Sequence, residues 1–198
     1  MAEFTRNMLV LAGIHGAGKS TARKMISNMG FLTHDEIGWA LRQKTLLKNC
    51  DLCILKGQDL AWFDRLVFQI ELLRDNFIEA TRSLPHCVET WHLGNLAYAA
   101  LRSPDIFDEL EALLALQVCK MNPFIIHIVI DHSTFIKRCS LHDMTSSDLY
   151  SYYININTFI THYISQNKLD SFQLENNGSL NDFHDGIQHA LHASGILS

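Results

Sequence analysis

No long basic run occurs anywhere in the 198 residues, and the formal net charge is −5. Tight binding along a nucleic-acid backbone needs clustered Lys and Arg, so no nucleic-acid partner is expected. No apolar stretch is long enough to span a bilayer. The first one, within residues 7–12, leads straight into a glycine-rich loop rather than a cleavage site, so no membrane partner is expected. The five cysteines are odd in number, and Cys50 and Cys53 form a lone C-x-x-C without a second pair. That usage points to free thiols in a reducing cytoplasm. The eleven histidines show no metal-ligand spacing, and His189 and His192 read as a solvated helix face. Repeats, linkers and low-complexity tracts are also lacking, so residues 1–198 read as one domain.

What is present is apolar: 47% of residues are hydrophobic and 19% charged, enough for one sizeable core. Short apolar runs predict strands over residues 7–12, 31–34, 86–89, 123–130 and 170–174. Amphipathic stretches predict helices over 18–29, 36–48, 59–82, 94–101, 105–118, 148–166 and 180–192. In the longest of these, Leu60, Phe63, Leu66, Val67, Ile70, Leu73 and Phe77 recur at three- and four-residue spacing and predict the buried face. The alternation predicts an α/β three-layer sandwich around a mainly parallel, five-stranded sheet.

Gly13, Ile14, His15, Gly16, Ala17, Gly18, Lys19 and Ser20 match G-x-x-x-x-G-K-[ST] at every fixed position, between a predicted strand and a predicted helix. Glycines let the backbone curl so that amide N–H groups converge on a phosphate, and the helix N-terminus adds its positive dipole end. Lys19 is placed to reach the β- and γ-phosphates, and Ser20, with Thr21 beside it, to help hold Mg²⁺. The expected ligand is ATP, with GTP possible. His15 is a variable position within this loop. Trp39, Trp62 and Trp91 are large enough either to stack on a base or to fill a core.

With this loop, the alternating pattern and the chain length, the sequence resembles the P-loop nucleoside and nucleotide kinases. Thymidylate and deoxynucleoside kinases are closest in layout. The resemblance rests on four stretches that span most of the chain: the loop, His34-Asp35-Glu36, Val88-Glu89-Thr90-Trp91-His92, and the strand to Ile130 with the polar segment after it. It implies a P-loop NTPase fold with substrate-side polar groups at Asp35 and Glu36. It makes Glu89 a base or a member of the Mg²⁺ shell acting through water. It also implies a lid around residues 131–147, where Arg138 would be catalytic. The helix holding Arg65, Glu71 and Arg74 would line the acceptor site, although Glu71 and Arg74 are equally spaced for an intrahelical pair. Two departures stand out. Thr90 occupies the place of the family's arginine, and the lid carries only Lys137 and Arg138.

The function these residues imply is an ATP-dependent kinase acting on a nucleoside, a nucleotide or a similar small acceptor, with a homodimer possible. Two alternatives stay open: a nucleotide-dependent switch or regulatory ATPase, and a member that binds nucleotide without transferring it. An apolar run ending in Asp-Glu, a mark of motor ATPases, is missing.

Overall fold

The computed structural model describes residues 6–44, 60–139 and 147–196. Five strands form one sheet: β1 (Met8–Ala12), β2 (Leu32–His34), β3 (His86–Glu89), β4 (Phe124–Val129) and β5 (Ser171–Glu175). Every pairing is parallel, in the order β2-β3-β1-β4-β5. All five residues of β1 are buried, as a central strand covered on both faces must be. Parallel neighbours cannot be joined by hairpins, so helices carry each crossover.

Those helices are α1 (Lys19–Ser27), α2 (Ile37–Lys44), α3 (Ala61–Ala80), α4 (Trp91–Arg102), α5 (Phe107–Met121), α6 (His132–Cys139), α7 (Ser147–Gln166) and α8 (Leu180–Ser194). α1 packs on β1, β2, β3 and α8, while α4 packs on β1, α3, α5 and α7. The expected strands and most helices are present, with ends shifted by a few residues. The helix expected over 36–48 is described only to Lys44. Of the expected lid, α6 is described and residues 140–146 lie outside the described residues, as do Cys50 and Cys53.

The buried face of α3 matches the expected one at Leu60, Phe63 and Val67 and departs from it further along. Leu73 is 68% exposed and Phe77 52%, whereas Asp64, Glu71 and Asp75 are almost fully buried. Asp64 faces inward because Arg102 and Ser103 donate to its carboxylate. Asp75 faces inward because Trp91 Nε1 donates to Oδ1 at 3.0 Å and His92 Nε2 pairs with Oδ2 at 2.9 Å. A buried carboxylate is tolerated only when paired in this way. Paired charges therefore displaced part of the apolar stripe toward solvent.

Candidate functional site

The chain leaves β1 through residues that only glycine fits. Gly13, Gly16 and Gly18 have φ values of 146°, 77° and 105°. A Cβ at Gly13 would collide with the Ile128 carbonyl oxygen, and one at Gly18 with Asn176 Nδ2. The loop delivers the chain into α1, whose N-terminus has no side-chain cap and no acidic residue in its first turn. That leaves its amides and dipole for an anion. Lys19, 6% exposed, lies back across the loop, and Nζ donates to Gly13 O at 3.0 Å and Ile14 O at 3.1 Å. Its ammonium is thus held at the loop's mouth.

β3 lies beside β1, with Leu11 in register with Glu89. Ligands in open α/β sheets bind at these carboxyl ends. Ser20 Oγ donates to Glu89 Oε1 at 2.7 Å, joining the loop to the acid. Arg23, three residues after Ser20 on α1, donates from Nε to Glu89 Oε2 at 3.2 Å, and its Nη2 lies 2.7 Å from Asp35 Oδ1. The position after Glu89 cannot act as a cation. Thr90 Oγ1 instead donates to Glu36 Oε2 at 2.9 Å. Thr90 and Trp91 both have positive φ, 74° and 51°, costing roughly 1–3 kcal/mol each. Trp91 is held there by Asp75, and Thr90 N donates to Leu11 O at 2.9 Å.

Lys19, Ser20, Arg23, Asp35, Glu36 and Glu89 line a cleft of about 910 Å³ with His15, Gly16, Gly18, Thr21, Trp39 and Arg138. On the loop side of the cleft, Arg138 donates to Gly16 O at 3.0 Å and Asn176 O at 2.9 Å, and burial lowers its pKa. Asn176 Nδ2 donates to Ala17 O at 2.7 Å. Arg138 thus ties α6 to the back of the loop and to the end of β5. On the wall beside α2, Trp39 is half exposed and its ring is stacked toward His15, with centroids 6.5 Å apart.

Three candidate acceptor residues lie elsewhere. Arg65 forms an exposed pair with Glu109, 2.9 Å, because its position on α3 faces α5 rather than the cleft. Glu71 and Arg74 pair with each other one layer behind the cleft. Asn95 Nδ2 donates to Glu71 at 3.0 Å, and Arg74 Nη1 donates to Asp35 O at 2.9 Å. Burial lowers the Arg74 pKa to about 10, against the pull of Asp75 and Glu36. Trp91 is fully buried and Trp62 is exposed, and neither lines the cleft. Glu71, Asp75 and His92 bring potential ligand atoms within 4.8 Å of one another. All four of their carboxylate oxygens already have partners, which makes the cluster a structural knot.

Two polar side chains on the cleft wall, Arg23 and Asn176, lay outside the expected site residues. Arg23 carried a signal, since Lys-Ser-x-x-Arg puts Ser20 and Arg23 on one helix face. Asn176 carried none beyond following a strand.

No family model matches the sequence, and no curated protein matches it. Solved structures do. Thymidylate kinase from Candida albicans is 9% identical with a TM-score of 0.66, covering 96% of this chain and 93% of that one. Deoxyadenosine kinase from M. mycoides with bound dATP is 15% identical with a TM-score of 0.58, covering 94% and 100%. NadR protein in complex with NR is 14% identical with a TM-score of 0.68; 98% of this chain matches 52% of that one. At these identities the shared property is the fold, and it is the fold of the P-loop nucleoside and nucleotide kinases.

Proposed function

We propose that this chain is a phosphotransferase, with ATP as donor, GTP as a possible substitute, and a small nucleoside, nucleotide or similar molecule as acceptor. The observation that carries the reading is the meeting of Lys19, Ser20 and Glu89 at the carboxyl ends of β1 and β3, with Ser20 Oγ 2.7 Å from Glu89. A loop alone would grip phosphate. An acid touching the loop's hydroxyl makes a place for a divalent cation and for the group that receives the phosphoryl.

The donor set fits Mg²⁺: a hydroxyl and a carboxylate, both hard oxygens, beside a glycine cradle that a Cβ would fill. Ser20 and, through water, Glu89 would hold the ion, which when bound offsets charge on the β- and γ-phosphates. The protein's share is positioning and charge complementarity. The loop amides and Lys19 take the donor phosphates. Glu89 faces the acceptor from beside the loop and is placed to orient its hydroxyl and accept the proton. Arg138 and Asn176, with Gly178, Leu180 and Phe183 nearby, wall the donor side. Asp35, Glu36 and Trp39 wall the acceptor side, with α6 as the start of the lid.

The test is ADP release from Mg·ATP measured with a panel of nucleosides, nucleotides and small alcohols. Acceptor-dependent release is expected, and Glu89→Gln should lower kcat by about a hundred-fold. Slow release that no acceptor changes would instead identify a nucleotide-dependent switch. A Glu89→Gln enzyme within a few-fold of the parent would remove Glu89 from the chemistry.

A further inference from the structure

The phosphotransferase reading leaves the acceptor's charge open, and the inference below rests on that reading. The lining cations among the described residues are Lys19, Arg23 and Arg138. Lys19 faces the loop carbonyls, and Arg138 is tied to Gly16 and Asn176 on the donor side. Arg23 is the one of the three that faces the acceptor wall. Its guanidinium is spanned by two carboxylates, Asp35 at one end and Glu89 at the other. Glu36 adds a third acid, and its partner Thr90 is neutral. Two further arginines stand nearby without lining the cleft. Arg74 sits behind Asp35, donating to its backbone oxygen, and Arg42 lies over the outer part of Trp39 at 5.6 Å.

Among the described residues, the acceptor wall therefore has three carboxylates and one guanidinium that is already paired. A phosphomonoester entering here would meet net negative charge within a few ångströms and would have to pull Arg23 away from Asp35. Charge at the largely buried Glu89 is screened less than charge at the surface, and such repulsion discriminates between ligands as attraction does. A hydroxyl compound carries no such cost, and its O–H groups can donate to the same carboxylates. Asp35 is the adjustable member. Its side chain is 75% exposed, so it contributes little to the fold, and it is the partner that holds Arg23 from the acceptor side.

We infer that the Arg23–Asp35 pair is the specificity device of the acceptor site. It admits phosphate-free hydroxyl acceptors of the nucleoside type and rejects phosphomonoesters, with Asp35 cancelling the charge that would otherwise attract them. Removing Asp35 frees Arg23 and turns the wall toward phosphate.

Calorimetry on the full chain with Mg²⁺ and a non-hydrolysable ATP analogue tests this, using matched nucleosides and their 5′-monophosphates as titrants. Wild-type protein should bind the best nucleoside at least ten-fold tighter than its monophosphate. Asp35→Asn should shrink that ratio at least ten-fold, and adding Arg23→Gln to Asp35→Asn should undo the shift. The inference is overturned if wild type binds monophosphates as tightly as nucleosides, if it binds neither, or if Asp35→Asn leaves the ratio within two-fold. The kinase reading fails by a different measurement: absent acceptor-dependent ADP release in wild type, even where these binding ratios behave as stated.

Discussion

The proposed donor half of the cleft is shaped mainly by backbone, while the proposed acceptor half is made of side chains hung on a partly buried charge network. In the first, three positive-φ glycines and an uncapped helix end do the shaping, and Lys19 and Arg138 add full charge. In the second, a chain of contacts runs from Glu71 through Arg74 to the Asp35 carbonyl, and from the Asp35 carboxylate through Arg23 to Glu89. Backbone geometry of this kind is common to every ligand with a phosphate tail. Side-chain networks can be rewired a residue at a time, so substrate choice can change there without disturbing the grip.

Substitutions on the two sides should therefore fail differently. Lys19→Met should lower kcat/KM for phosphoryl transfer by about a thousand-fold, with Tm almost unchanged, since Nζ touches only two loop carbonyls. Steady-state assays beside thermal melts check it, and a large drop in Tm would erase the contrast. Asp75→Ala should do the reverse, costing about 3 kcal/mol by urea unfolding, because Trp91 Nε1 and His92 lose their buried partner. Its effect on ATP binding should stay within a few-fold.

A smaller effect concerns pH. His34 stands at the end of β2, half-buried, with Nε2 3.0 Å from His86 Nδ1. Burial, then Arg74 and His86, lower its pKa from 6.5 to about 4. The unfolded chain therefore takes up the proton first. Stability is complete above pH 6.5 and is lost as pH falls toward 4. After allowance for solvent screening the loss is roughly 1 kcal/mol, and His34→Phe should flatten that part of the curve in unfolding titrations. Least of all, Leu73→Gln should change stability by less than about 0.5 kcal/mol, because that side chain is mostly exposed. A loss above about 2 kcal/mol would mean that something covers it.

This contrast also explains what could be read before folding. The loop was legible because its chemistry is local: eight adjacent residues between a strand and a helix. β3 was legible to the residue, and Glu89 with it, because a short apolar run between turns has few other fates. The rest depended on contacts between distant residues. Asp64, Glu71 and Asp75 look like the polar side of a surface helix until Arg102, Asn95, Trp91 and His92 are brought to them. Arg65 and Arg74 look alike in sequence, yet one sits in an exposed pair and the other behind the acceptor wall. Arg23 was overlooked because the family places its arginine after the acid, and only the sheet register shows that α1 supplies one to the same carboxylate.

The turn after β3 has a consequence for inheritance. A Cβ at Gly94 would stand on the Thr90 methyl, one helical turn earlier, so the two residues share a single volume. Position 94 cannot gain a side chain while Thr90 keeps that methyl. A lineage that gained an arginine at position 90 would have to keep glycine at 94 and find Glu36 another partner. A lineage that gained a side chain at 94 would have to shorten 90 to serine first. Positions 90 and 94 should drift as a pair, and the order of the two steps is set by which atom already fills the space.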